Sequence, residues 1–182
     1  MPTRTRTRSL LLAALFAALT AVGAFLRIPL PPSSITLQCF FTAMAGLLLG
    51  PGRGAVSQII YVALGLVGLP IFTMGGGVGS VLQPTFGFLL GLIPCAWVVG
   101  ALTRKNASRG RIAAACIAGF AVLYAIGLPY MGAVMNLYLG KGWTLWQVIY
   151  RGMLLFLPGD TLKIVVCVLL APRLRKILSN IH

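Results

Sequence analysis

Four stretches of this chain, 9–26, 28–52, 54–103 and 112–140, contain no charged residue at all. A soluble domain is not built that way, because about a quarter of its residues normally carry charge. Here the 182 residues are 59% hydrophobic and only 9% charged, with a mean hydropathy of +0.98. A helix needs about 20 apolar residues to cross the hydrocarbon of a bilayer, and inside lipid the backbone must satisfy its own hydrogen bonds. The expected class is therefore all-α: a polytopic membrane protein with six transmembrane helices forming one unit over residues 1–182.

The titratable inventory narrows the chemistry. Against 15 Lys and Arg stand one acidic residue, Asp160, and one histidine, His182, for a net charge of +14. A hydrolytic carboxylate pair needs two carboxylates, and a histidine-dependent triad would need its base at the last residue. No enzyme is expected, and no cofactor. The positive charge does not point to nucleic acid either. Basic patches that bind phosphate lie on polar faces, whereas these residues separate apolar runs, the pattern of cytoplasmic loops. Cys39, Cys95, Cys116 and Cys167 each lie within apolar sequence with no CxxC and no nearby His. They read as packing residues, not as a metal site.

Proline and glycine punctuate the spans. Helices are expected at 9–27, 35–50, 54–68, 84–102, 112–139 and 159–176. Outer loops are expected at 28–34, 69–83 and 140–158, with a further helical segment at 143–156. The first helix should end before Pro29, Pro31 and Pro32, which cannot continue it, and Pro129 should kink the fifth. Arg4, Arg6 and Arg8 ahead of 9–26 imitate a signal peptide, with Val22-Gly23-Ala24 as a small-residue cleavage site. The segment is nevertheless expected to stay as a helix, because its removal spoils the charge asymmetry. With the N-terminus in the cytoplasm, Arg4, Arg6, Arg8, Arg53, Arg104, Lys105, Arg109, Arg111, Arg173, Arg175 and Lys176 fall inside. Only Arg27, Lys141 and Arg151 fall outside, with Lys163 in the last helix. That bias places both termini in the cytoplasm.

The irregular segments then share the outer side, where the site is expected. Leu157-Pro158-Gly159-Asp160-Thr161-Leu162-Lys163 carries the strongest signal. Only Ile164–Pro172 follows before Arg173, so Asp160 and Lys163 should sit below the outer headgroups, where charges are costly and mark function by default. Three residues apart, they share a helix face. A plainer role also stands, Asp160 capping the helix with Lys163 as its partner. Gly75, Gly76, Gly77 and Gly79 lack a phosphate-loop pattern and read as a lid or close backbone approach to a ligand, or as a passive connector. Ala13, Ala14, Ala17, Ala18 and Ala21 form small-xxx-small pairs on the first helix, suited to close helix packing within the chain or against a separate membrane partner. Trp143, Trp146 and Tyr150 read as interfacial belt residues.

These residues also resemble the BioY family, the biotin-binding S-components of energy-coupling-factor transporters, along nearly the whole chain. The resemblance rests on Ile35-Thr36-Leu37-Gln38, on Gly46–Gly50 with Pro51, and on Tyr61…Gly65…Gly68-Leu69-Pro70-Ile71-Phe72. It continues through the glycine loop into Pro84-Thr85-Phe86-Gly87-Phe88 and ends in Leu157-Pro158-Gly159-Asp160…Lys163. Two positions depart from the family pattern: Gln83 stands where Gly is usual, and Phe88 often has Tyr in its place.

The resemblance implies a bacterial inner-membrane protein that captures biotin at its outer face. It also implies docking onto a transmembrane coupling subunit driven by two ATPase subunits, through an AxxxA stripe matched by Ala14 and Ala18 or by Ala13 and Ala17. The family's Asp and Lys fall on Asp160 and Lys163. Asp160 is the available anion for ureido N–H groups, and Lys163 is a donor or cation. Arg151 is a candidate for the valerate carboxylate, and Gln38, Gln83 and Thr85 are neutral hydrogen-bonding candidates. Alternatives keep the architecture for another small vitamin-like molecule, or have the chain work alone as a homo-oligomer in membrane lipid. Two other classes also stand open, a membrane enzyme using Asp160 as its base and a purely structural assembly partner.

Overall fold

A computed structural model describes residues 2–30, 33–104 and 108–180. Pro31, Pro32, Lys105 and His182, and the side chains of Arg4 and Arg6, lie outside this description. Among the described residues the chain is mostly helical: α1 Pro2–Phe25, α2 Gln38–Leu49, α3 Pro51–Leu66, α4 Phe86–Leu102, α5 Arg109–Ala133, a short α6 Leu145–Ile149 and α7 Leu157–Asn180. Three segments are long and apolar enough to cross a bilayer, 7–25, 109–138 and 145–177, while α2 and α4 are shorter apolar helices.

Several boundaries differ from expectation, each for a local reason. The second helix begins at Gln38 and not at residue 35, because Ser33–Thr36 (β2) pairs antiparallel with Arg27–Leu30 (β1). The irregular backbone expected at 28–34 is thus a two-stranded hairpin that satisfies its own amides, the one non-helical sheet in the fold as described. The third helix begins three residues early because Pro51 fits the first helical turn, where its missing N–H is no loss. The fifth runs through Pro129 and widens into a π-helical turn at Val134–Tyr138. The expected helix at 143–156 is α6 followed by a second π-helical turn, Tyr150–Leu154. It starts at a capping box, in which Thr144 Oγ1 accepts from the Gln147 amide and the Gln147 side chain accepts from the Thr144 amide.

α2, α3 and α4 meet through missing side chains. A Cβ on Gly46 would stand 2.4 Å from the Ala96 carbonyl oxygen, and one on Gly54 would stand 2.9 Å from the Gly46 Cα. In lipid, where tails are as apolar as Leu, such close approach is what holds helices together. A polar cluster adds to it. Gln58 of α3, fully buried, accepts from Thr42 of α2 at 3.0 Å and donates to Thr20 of α1 at 3.3 Å. One amide therefore ties three helices, and no buried polar side-chain atom among the described residues lacks a partner.

At one end of the bundle Arg175 of α7 closes the other helices. Its Nε donates to the Leu47 carbonyl at 2.7 Å, its Nη1 to the Thr103 carbonyl at 3.1 Å and its Nη2 to Thr103 Oγ1 at 3.0 Å. The last carbonyls of a helix have no partner within it and carry negative partial charge, so a guanidinium answers both needs for α2 and α4. The other end is left to the hairpin, the 67–85 connection and α6, and the cavity lies there.

Candidate functional site

The cavity at that open end encloses about 630 Å³ of unfilled space, part of it open to solvent. Its floor is ionic. Asp160, in the first turn of α7, and Lys163, one turn on, are only 5% and 6% exposed. Lys163 Nζ stands 2.7 Å from Asp160 Oδ1, and Tyr124 of α5 donates its hydroxyl to Asp160 Oδ2. Such a pair is stable in a dry place only if its remaining hydrogen-bonding capacity is met, and Tyr124 meets part of it.

The capping role for Asp160 is overturned by this geometry. Its amide already donates to the Phe156 carbonyl at 2.9 Å, just ahead of the helix, and its carboxylate faces Lys163 and Tyr124 instead of the free amides of the first turn. An acid near a helix N-terminus still gains from the dipole.

One wall is polar. Gln38, at the start of α2, accepts from Thr36 at 3.0 Å and donates to the Tyr61 hydroxyl at 2.7 Å. Tyr61 is fully buried and donates in turn to the Ile71 carbonyl at 3.1 Å. A short hydrogen-bonded chain thus runs from the cavity to the base of the glycine loop. Beginning α2 at Gln38 creates this wall, since a helix from residue 35 would fill the depth that β2 leaves open. The opposite wall is apolar. Phe88, Leu89 and Leu92 of α4 face the space with Phe156, and the Phe88 ring meets Tyr124 edge-on, with centroids 6.1 Å apart.

Of the residues nominated from sequence, Asp160, Lys163, Gln38 and Thr85 line the cavity, and Gln83 and Arg151 do not. The exposed Arg151 guanidinium lies 4.9 Å from the centroid of the Trp143 ring. Gln83 closes the 3-10 turn Val78–Leu82, its amide donating to Ser80. None of Gly75, Gly76, Gly77 or Gly79 lines the cavity, although their neighbour Thr73 does. Gly75 and Gly77 take φ of 105° and 94°, conformations that suit glycine. They make a tight turn in which Phe72 and Gly75 exchange backbone hydrogen bonds and Gly77 donates to the Gly65 carbonyl of α3. The loop is thus fastened to α3 at its base, and across the mouth Arg27 of β1 donates to the Thr73 carbonyl.

Sequence reasoning missed Tyr124, Thr36, Ser34, Thr73 and Phe88, and treated Cys39 as packing although it too lines the cavity. A tyrosine inside a long apolar helix was the available signal for Tyr124. The alanine stripe divides: Ala13 and Ala17 are buried against the bundle, while Ala14 and Ala18 are exposed.

Comparison with known proteins agrees with this architecture. The family model for the BioY family matches residues 1–180. A protein of Lysinibacillus sphaericus named as a probable biotin transporter BioY is 42% identical over 176 residues, covering 96% of this chain and 90% of its own length. The biotin transporter BioY of Thermotoga maritima is 37% identical, with 93% and 97% covered. A crystal structure at 2.1 Å described as the S-component for biotin from an ECF-type ABC transporter superposes with a TM-score of 0.72 at 28% identity, covering 97% of this chain and 95% of that one. This chain, with its buried acid–lysine pair at the open end of a six-helix bundle, belongs to the BioY family.

Proposed function

We propose that the protein captures biotin in this cavity and passes it across the bacterial cell membrane as the substrate-specific subunit of an energy-coupling-factor transporter. The observation that carries the reading is the submerged Asp160–Lys163–Tyr124 cluster at the floor of a cavity otherwise walled by apolar and neutral groups. The ureido ring goes deepest. Its N–H groups donate to Asp160, and its carbonyl accepts from Lys163 or Gln38. The thioether ring lies against Phe88, Leu92 and Phe156, which give a dry surface. The valerate points to the mouth, where Ser34 and Thr73 offer donors and Arg27 offers a cation. Arg27 replaces Arg151 in that role, because it reaches the lining residue Thr73 whereas Arg151 lies over Trp143.

The chain has no nucleotide-binding motif, so ATP-driven work falls to other subunits, and its own part is binding without bond chemistry. The exposed Ala14–Ala18 face of α1 is the docking surface for a transmembrane coupling subunit. Positive-inside bias puts both termini and Arg175 on the cytoplasmic side, with the cavity mouth outside.

Purified protein in detergent, incubated with radiolabelled biotin, provides the test. Saturable retention is expected, displaced by desthiobiotin, which keeps the ureido ring, and untouched by riboflavin or thiamine. Absence of saturable biotin retention, or displacement by an unrelated vitamin, overturns the assignment. The Arg27 tie gives a second expectation. Arg27→Ala removes one charge-assisted hydrogen bond across the mouth, so labelled biotin chased with unlabelled should leave roughly tenfold faster. An unchanged release rate would show that the tie does not govern exit.

A further inference from the structure

Beside the cavity lies a second and larger depression. It holds about 1190 Å³ of unfilled space, much of it open, between α5 and the α6 segment. Ala121, Ala125, Leu128 and Gly132 of α5 form one side, with Val148 and Met153 opposite. From Ala121 to Asn136 the helix rises about 22 Å at about 1.5 Å per residue. That exceeds the roughly 15 Å of hydrocarbon in one leaflet, so the groove is long enough for one lipid chain and ends near headgroup level.

Its upper end is built and basic. Asn136 holds Trp143 by both backbone groups, donating to its carbonyl at 2.9 Å and accepting from its amide at 2.5 Å. Trp143 lines the groove, and the exposed Arg151 guanidinium lies over its ring. Lys141, also exposed, precedes it by two residues. The chain's single acid cannot neutralise these cations, because Asp160 is buried and engaged by Lys163 and Tyr124. An apolar groove of one leaflet's depth, with two cations at its headgroup end, fits an amphiphile with an anionic head.

We propose that this groove is a binding site for an anionic phospholipid of the leaflet on the mouth side. One acyl chain lies along α5 between Ala121 and Gly132, and the phosphate meets Lys141 and Arg151. The site adjoins the ligand cavity through Tyr124. Its ring lines the groove while its hydroxyl holds Asp160, so a seated chain supports the wall that positions the carboxylate.

The full chain in mild detergent, titrated with phosphatidylglycerol or with phosphatidylcholine of the same acyl chains and read by native mass spectrometry, tests this. Each cation near a membrane surface adds roughly fivefold in affinity for anionic lipid, so phosphatidylglycerol should be retained about twenty-five-fold more strongly. Lys141→Gln with Arg151→Gln should bring it down to the level of phosphatidylcholine. Ala125→Phe, at an exposed position, should fill the groove and weaken retention of both lipids while leaving the charges in place. Equal retention of the two lipids by the wild type overturns the proposal, as does a preference that survives the loss of both cations, or retention of both lipids undiminished by Ala125→Phe. A dimer that buries the groove and excludes lipid overturns it as well.

Discussion

Replacing Asp160 with Asn is expected to abolish biotin retention and to lower the thermal stability of the purified protein together. The two effects have one origin. Lys163 is 6% exposed, and without the carboxylate at 2.7 Å its ammonium is left buried and uncompensated. Removing one partner of such a pair costs about 3–5 kcal/mol. Loss of the anion also removes the acceptor for the ligand's N–H groups. Since one hydrogen bond to a charged group contributes up to about 3 kcal/mol, affinity should fall about a hundredfold. The double variant Asp160→Asn with Lys163→Met separates fold from function. With no stranded charge it should melt within a few degrees of the wild type, by fluorescence in detergent, and still retain no biotin. If the double variant is as unstable as the single, the pair is needed for the fold itself. If either variant keeps wild-type affinity, the cluster is not the ligand's anchor.

The second large effect is expected at Gly46, far from the cavity. Its missing Cβ would sit 2.4 Å from the Ala96 carbonyl oxygen, and a backbone atom cannot step aside as a flexible side chain can. Gly46→Ala must push α2 from α4, at a cost of about 3 kcal/mol, the upper end for overpacking. Gly46→Leu should give no folded protein after extraction. Gly52 is the control, since a Cβ there meets nothing within 4 Å. Gly52→Ala should be neutral or stabilising by up to about 1 kcal/mol. Equal melting temperatures for Gly46→Ala and Gly52→Ala would remove the close crossing from the account of this fold.

What could be read in the sequence follows from where the physics is local. The uncharged runs and the prolines mark where most helices lie, because span length and a missing N–H act on the segment that carries them, although α1 begins at Pro2 and not at residue 9. Asp160 and Lys163 could be placed on one submerged helix face for the same reason, three residues being one turn. Tyr124 could not be found that way. It belongs to the cluster only because α5 packs beside α7, and a tyrosine in an apolar helix does not by itself say which neighbour it meets. Thr36 escaped in a different manner. An apolar run beginning near residue 35 resembles an intact span, and only the pairing of Ser33–Thr36 with Arg27–Leu30 shows the helix starting three residues later. Arg151 was misplaced because charge was counted without direction, whereas the π-helical turn at 150–154 turns its guanidinium toward Trp143.

Arg175 imposes an asymmetry on how this molecule can move. By gathering the carbonyl ends of α2 and α4 onto α7 it acts as a rivet, while the opposite rim is joined through loops and a hairpin: Arg27 to Thr73, Gly77 to Gly65 and Tyr130 to Val81. Thermal motion must therefore be graded along the bundle axis, small at the riveted pole and large at the rim. A vitamin can enter by spreading the rim alone, leaving the close helix crossing near Gly46 intact. Amide exchange should record the gradient, with α2 amides near Leu47 protected for far longer than those of the hairpin.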